Sequence, residues 1–292
     1  FCAEWGNLGD LGQFWTRLEQ VCWGLDGQRV VLDGEVKVWV DRLVVDQRKE
    51  ARDLCVKALG RCLENDPDGK FLETFLLSGG VEIVLNHVVP RDRCVETILG
   101  LLRSLAKTAD GLEALFSQPL LFPKFRSILG DMRKWTELEI ILEIFQYLTH
   151  ERNVFWDSSL GKNVDIFRQI FELVQQRPKL FLPFLSVLQR LLEVGEKSTI
   201  EGLDEIEIVE FFEFGISQNQ SMKMTLTTLD VVECYLNRRK DLQGRDQFDE
   251  ETIMNLESSL IWPLAALRYH DDEPIKEKAS EILSQFPEFD VQ

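Results

Sequence analysis

The chain has 292 residues, of which 45% are hydrophobic, a composition that is ample for a packed interior and unlike that of a disordered chain. Fifty acidic residues against 33 basic ones give a net charge of −17, which repels phosphate backbones and argues against direct binding of nucleic acid. The imbalance is local, because residues 201–292 hold 21 acidic and 8 basic residues and carry −13 of this charge.

Six cysteines are scattered without a C-x-x-C pair, and four of them lie inside apolar helical patterns. This usage indicates reduced, buried thiols and a reducing compartment, the cytoplasm or the nucleus. Since no run approaches about 18 uninterrupted apolar residues, no membrane span is expected. The chain begins with Phe1 instead of Met, and we expect it to be a fragment of a longer protein.

The first part of the chain is irregular but rich in tryptophan, with Trp5, Trp15, Trp23 and Trp39 close together. We predict that residues 1–35 form capping helices whose aromatic side chains cover the open end of the helical array that follows. The alternative is that these side chains are exposed anchors for a partner protein.

Apolar residues recur every three or four positions along most of the chain, which predicts an all-α fold. Long amphipathic helices are predicted to begin, at steps of 42 or 43 residues, near Lys49, Arg91, Lys134, Arg177 and Gln220. A shorter apolar helix precedes each of them, beginning near Val36, Val81, Leu121, Val164 and Ile206. A third, very short helix fits ahead of several pairs. A period in the low forties is typical of armadillo and HEAT repeats, and three helices favour the armadillo variant.

We therefore predict a right-handed armadillo-like α-solenoid of about six repeats over residues 36–292. The repeats are expected near 36–66, 70–107, 110–151, 153–196, 198–240 and 257–289. A polar insertion over residues 241–254 is expected to separate the last two.

One stretch carries the resemblance most clearly, "FLLSGGVEIVLNHVVPRDRCVETILGLLRSLA" at residues 75–106. It resembles the armadillo pattern of a Gly-Gly turn, a short helix, a break and a longer helix. A glycine pair ahead of a helix can also bind phosphate through backbone N–H groups. Because no strand precedes Gly79 and no Lys-Ser/Thr pair follows Gly80, we interpret the pair as a tight corner between helices.

Two branches of the superfamily are weakly similar to this chain. The regulatory armadillo regions of formins resemble it in a Gly-Gly turn and a "GLEAL" segment, here Gly111–Leu115. That resemblance implies binding of a Rho-type GTPase or autoinhibition. The armadillo-type nucleotide-exchange factors of the seventy-kilodalton heat-shock chaperones are similar in length and helical layout, which implies a chaperone cofactor.

The sequence offers no catalytic constellation, metal site or cofactor site. His87, His150 and His270 are predicted near helix ends and have no metal-ligand spacing. Cys55 and Cys62 share one face of a helix, where the apolar pattern predicts a role in the core. We predict that the protein is not an enzyme.

Binding residues are expected on the long helices, which line the inner face of such a solenoid. Alignment of these helices places Lys57 and Arg61 level with three further pairs, which are Leu99 and Arg103, Leu142 and Gln146, and Leu185 and Gln189. The polar members Lys57, Arg61, Arg103, Gln146 and Gln189 are the candidate contacts for a partner. The Trp and Asn ladder that nuclear-import adaptors of this family use is absent at these positions.

An acidic patch is predicted around Glu207, Glu210 and Glu213, in a region with eight acidic residues and one lysine. It is interpreted either as a solvated helix face or as a site for a basic segment. The leading hypothesis is a non-catalytic scaffold that binds a segment of a partner protein, extended or helical, along its groove. A chaperone cofactor and a formin-type regulatory region are the alternatives, and the oligomeric state is left open.

Overall fold

The computed structural model describes residues 49–64, 66, 68–132, 134–148, 163–217, 221–244, 248 and 250–286. The predicted capping segment 1–35, the short helix expected from Val36 and the side chain of His150 lie outside the described residues. The chain divides into two compact units, Phe1–Leu148 and Thr149–Gln292. Within the described ranges every regular element is a helix, which confirms the all-α prediction.

The described part of the first unit begins with one long helix and continues with two groups of three helices. Its helices are α1 (Lys49–Glu64), α2 (Lys70–Leu77), α3 (Gly80–Asn86), α4 (Val95–Ala106), α5 (Ala109–Phe116), α6 (Leu121–Gly130) and α7 (Trp135–Leu148). Each group of three ends with its longest helix, α4 or α7. The long helices α1, α4 and α7 pack side by side in that order.

The second unit repeats this arrangement in its own core. Its helices are α8 (Asp165–Gln176), α9 (Phe181–Val194), α10 (Lys197–Glu205), α11 (Ile208–Ile216), α12 (Met222–Gln243), α13 (Glu250–Leu256), α14 (Trp262–Leu267) and α15 (Glu273–Leu283). A π-helical segment, Glu257–Ile261, joins α13 to α14 without a break. The long helices α9, α12 and α15 again pack side by side.

The predicted period agrees with the observed helix starts. Long helices begin at Lys49, Val95, Trp135, Phe181 and Met222, within a few residues of the predicted positions. Helices cover both ends of the segment 241–254, because α12 continues to Gln243 and α13 begins at Glu250, and the insertion between repeats stays a prediction. The number of repeats, their boundaries and the handedness of the stack remain predictions.

Gly79 and Gly80 form the corner between α2 and α3. Gly79 has a φ of 68°, a left-handed conformation that favours glycine because it has no Cβ. At Gly80 a Cβ atom would lie 2.4 Å from the ring of Phe75. The corner therefore needs the first glycine for backbone conformation and the second for close packing, as the sequence predicted.

Apolar side chains fill the interior of both units, and Cys55 and Cys62 are buried among them as predicted. In the second unit the Phe171 ring lies 4.1 Å from the Phe211 ring, measured between centroids, and Phe181 and Phe184 lie close by. Burial of each phenylalanine contributes roughly 1.5–3 kcal/mol relative to an exposed side chain. No helix among the described residues is both long enough and apolar enough to cross a membrane.

Candidate functional site

The long helices of the first unit are joined by polar contacts between residues about one repeat apart. The Thr97 hydroxyl on α4 donates to Asp53 Oδ1 on α1 at 2.7 Å. On the next pair, Arg103 Nη1 on α4 donates to Glu143 Oε2 on α7 at 2.9 Å. Since the partners in these contacts are 44 and 40 residues apart, the sequence period is visible directly as a ladder of hydrogen bonds.

Two of the predicted groove residues form ion pairs on these long helices. Lys57 Nζ lies 2.6 Å from Asp53 Oδ2, and Arg103 is paired with Glu143. The Lys57 side chain is 49% exposed and that of Arg103 is 32% exposed, so both remain accessible to a partner. Arg61 and Gln146 are half-buried on α1 and α7. The first unit thus places four of the predicted contacts on its three long helices.

The apolar members of the aligned pairs are buried. Leu99 and Leu142, the counterparts of Lys57 in the first unit, are 0% and 1% exposed, and Leu185 in the second unit is 0% exposed. Each of these leucines packs into the core, because a long helix in the middle of a stack is covered by neighbouring helices on more than one side. In the three pairs that begin with leucine, only the second member therefore reaches solvent.

In the second unit, Gln189 lies half-buried on α9, and an acidic cluster occupies the two long helices that follow. Lys278 on α15 lies at its centre, with Nζ at 2.6 Å from Glu233 Oε2 and 3.4 Å from Asp230 Oδ1 on α12. Burial lowers the pKa of Lys278, but the hydrogen bond to Glu233 and the nearby carboxylates outweigh it and raise the pKa above its ordinary value. We call Asp230, Glu233 and Glu281 the long-helix acidic cluster.

This cluster is not among the sites that the sequence predicts. Its members are spread over α12 and α15, and single acidic residues are common throughout this chain. The available signal was the 45-residue separation between Glu233 and Lys278, which is close to the repeat period and places oppositely charged residues on adjacent long helices.

The predicted acidic patch lies on a short helix and at its start, and not on a long helix. Glu207 precedes α11 in a left-handed conformation with a φ of 60°, and Glu210 lies in the first turn. Carboxylates at these positions stabilise the positive end of the helix dipole. Glu213 is exposed one turn further on. Part of this patch therefore has a local structural role.

Arg168 on α8 neutralises part of the same patch. Its Nη1 donates to Glu210 Oε2 at 2.6 Å and lies 3.6 Å from Glu207 Oε2. The guanidinium and the Glu207 carboxylate border a shallow open depression. The residues that line it are Asp165, Arg168, Gln169, Glu172, Glu205, Ile206 and Glu207. An arginine already occupies the centre of the patch, so it is a weaker site for a basic partner than its sequence suggests.

The cysteines with shifted pKa values are poor nucleophiles. Burial, aided by Glu193, raises the pKa of the half-buried Cys234 thiol to about 11, although Arg238 opposes this. Burial together with Asp92 raises the pKa of Cys94 to about 11. Both thiols stay protonated at neutral pH, and the thiolate is the reactive form. Among the described residues, no group of three or more His, Cys, Asp or Glu side chains could hold a metal ion.

Comparison with solved structures identifies the fold. A designed armadillo repeat protein in complex with the peptide (KR)4 matches with a TM-score of 0.62 at 10% identity, over 86% of this chain and 99% of that chain. A computationally designed armadillo repeat protein for modular peptide recognition matches with the same TM-score at 11% identity, again over 86% and 99%. An engineered structural-genomics target, OR497, matches with a TM-score of 0.65 at 13% identity, over 96% of this chain and 66% of that chain.

These likenesses establish an all-α, armadillo-like helical-repeat fold. No protein-family model and no curated protein sequence matches the chain. The resemblances to formin regulatory regions and to chaperone exchange factors therefore stay predictions. One of the designed armadillo proteins named above was solved with a bound (KR)4 peptide, and the other was designed for modular peptide recognition.

Proposed function

We propose that the protein is a non-catalytic scaffold that binds a segment of a partner protein along the exposed faces of its long helices. The observation that carries this proposal is the armadillo-like fold, in which each unit presents three long helices side by side with accessible polar side chains. In the first unit, Arg61, Arg103 and Gln146 supply hydrogen-bond donors for the carbonyl groups of a bound chain, and Gln189 does so in the second unit.

The partner segment that the charge distribution favours is basic. The long-helix acidic cluster holds three carboxylates against the single ammonium group of Lys278. A similar designed armadillo protein was solved with the alternating basic peptide (KR)4. Exposed carboxylates increase the association rate of a basic segment and select against acidic ones.

Binding of a fluorescently labelled (KR)4 peptide, followed by polarisation, tests the proposal. The long-helix acidic cluster is neutralised with Asp230→Asn and Glu233→Gln together, and Glu82→Gln on α3 of the first unit serves as the matched control. Exposed ion pairs contribute about 0.2–1 kcal/mol each, so the double variant should bind roughly 2- to 30-fold more weakly and the control should bind like the wild type. An eight-residue glutamate peptide should not bind.

Two results would overturn the proposal. If (KR)4 does not bind saturably at micromolar protein concentration, a basic segment is not the ligand. If the wild type and the double variant bind (KR)4 with equal affinity, the long-helix acidic cluster is not the binding site. Thermal melting of each variant checks that the fold is retained.

A further inference from the structure

We propose that an exposed apolar stripe near the end of the second unit is a docking site for a cationic amphipathic helix. The stripe consists of Met254, Trp262 and Tyr269, whose exposed fractions are 72%, 57% and 89%. It lies on α13, α14 and the turn that follows, and not on the long helices, so it goes beyond the proposed function. Exposed aromatic anchors of this kind dominate the binding energy of protein interfaces.

The π-helical segment brings Met254 and Trp262 onto one face. In a regular α-helix, eight residues would turn Trp262 by roughly 80° from Met254, since each residue adds about 100°. The wider turn of Glu257–Ile261 rotates less per residue and removes most of that offset. The burial pattern agrees, because Leu256, Leu260 and Leu264 face the core while Met254 and Trp262 face solvent.

Pro263 is the physical cause of the π turn. A proline has no N–H to donate to the preceding turn, and its ring collides with the carbonyl four residues earlier. A wider turn directly ahead of Pro263 relieves that collision without ending the helix. Since π turns inside helices are frequent at functional sites, the exposed tryptophan directly after this one is a stronger candidate than an isolated surface aromatic.

Charge around the stripe selects the occupant. Among the described side chains, the acidic residues Asp271, Asp272 and Glu273 directly follow the turn that carries Tyr269, and Asp271 and Glu273 are exposed. A second copy of this chain, with its net charge of −17, would be repelled. A helix with an apolar face and lysine or arginine on its flanks satisfies both the apolar stripe and the acidic rim.

The probe is a labelled 18-residue model peptide with leucine on one helical face and lysine on the other. Polarisation should detect saturable binding to the wild type, weakened at least about 30-fold by Trp262→Ser with Tyr269→Ser, as expected for loss of two anchors. Met222→Ser is the matched control, since Met222 is 49% exposed on α12 of the same unit, and it should leave affinity unchanged. Trp262→Phe should retain most of the binding.

Three outcomes would overturn this inference. If the double serine variant binds the leucine–lysine peptide with unchanged affinity, the stripe is not the binding site. Equal binding of a peptide with glutamate in place of lysine would remove the charge selection. A wild-type dimer in sedimentation velocity that Trp262→Ser dissociates would identify a second copy as the occupant. Because (KR)4 has no apolar face, the double serine variant should still bind it, which separates this test from that of the proposed function.

Discussion

The Tyr235 hydroxyl on α12 donates a 2.5 Å hydrogen bond to Asp204 Oδ1 on α10. Arg239, one turn further along α12, donates to the same hydroxyl at 3.0 Å. Tyr235 is buried, and burial together with the Asp204 charge raises the pKa of its hydroxyl far above the ordinary value. The hydroxyl is therefore a permanent donor that fastens a short helix to a long helix.

Tyr235→Phe should lower the free energy of unfolding by about 1–3 kcal/mol, since it removes the hydroxyl that donates to the half-buried Asp204 carboxylate. Urea unfolding followed by circular dichroism measures this. Tyr269→Phe is the matched control, because Tyr269 is 89% exposed, and it should leave stability unchanged. A Tyr235→Phe variant as stable as the wild type would contradict a fastening role.

The Asp204 carboxyl should make stability depend on pH. Burial raises its pKa above the ordinary 3.8, although Tyr235 and Arg239 act in the opposite direction. Between 3.8 and the raised pKa, the folded chain binds more protons at this site than the unfolded chain. Rising pH through that window therefore removes the stability that this group contributes at lower pH.

Asp204→Asn keeps an acceptor for Tyr235 and removes the titration. The free energy of unfolding of the variant, measured relative to the wild type, should thus increase as pH rises from about 4 and then level off. Urea unfolding at a series of pH values gives both curves. A difference that is independent of pH would show that this carboxyl does not have a raised pKa.

Two glycine-to-alanine substitutions, one at the corner between α2 and α3 and one inside α4, should have opposite effects on stability. Gly80→Ala places a methyl group against the Phe75 ring and should lower the free energy of unfolding by about 1–3 kcal/mol. Gly100→Ala, within α4 and with no atom beyond its neighbours and its own helix backbone within 4 Å of the new methyl group, should raise it by about 0.5–1 kcal/mol. Thermal and urea unfolding distinguish the two, and destabilisation by both would contradict the packing argument.

The Arg103–Glu143 pair predicts a small, salt-dependent effect. Arg103→Glu puts two carboxylates together on a partly exposed surface and should cost no more than about 1 kcal/mol. The exchange Arg103→Glu with Glu143→Arg should recover the loss. Stability of all three proteins is compared at low and at high salt, where screening should reduce the difference. A large loss that the exchange does not recover would assign Arg103 a role in packing instead of charge pairing.

Much of the architecture was predictable because helical periodicity and glycine chemistry are local properties. The long helices, the Gly79–Gly80 corner and the burial of Cys55 and Cys62 follow from residue spacing along the chain, which is the same before and after folding. The repeat period likewise indicated the armadillo-like fold without any knowledge of contacts.

The candidate surfaces depended on the register between helices about 40 residues apart, which no local pattern specifies. Tertiary packing buried Leu99, paired Arg103 with Glu143 and grouped Asp230 and Glu233 around Lys278. The sequence by itself determined which helices form and how often they recur. Only the tertiary structure decided which side chains meet, because a rotation of one helix by a single residue, about 100°, changes which side chains face the neighbouring helix.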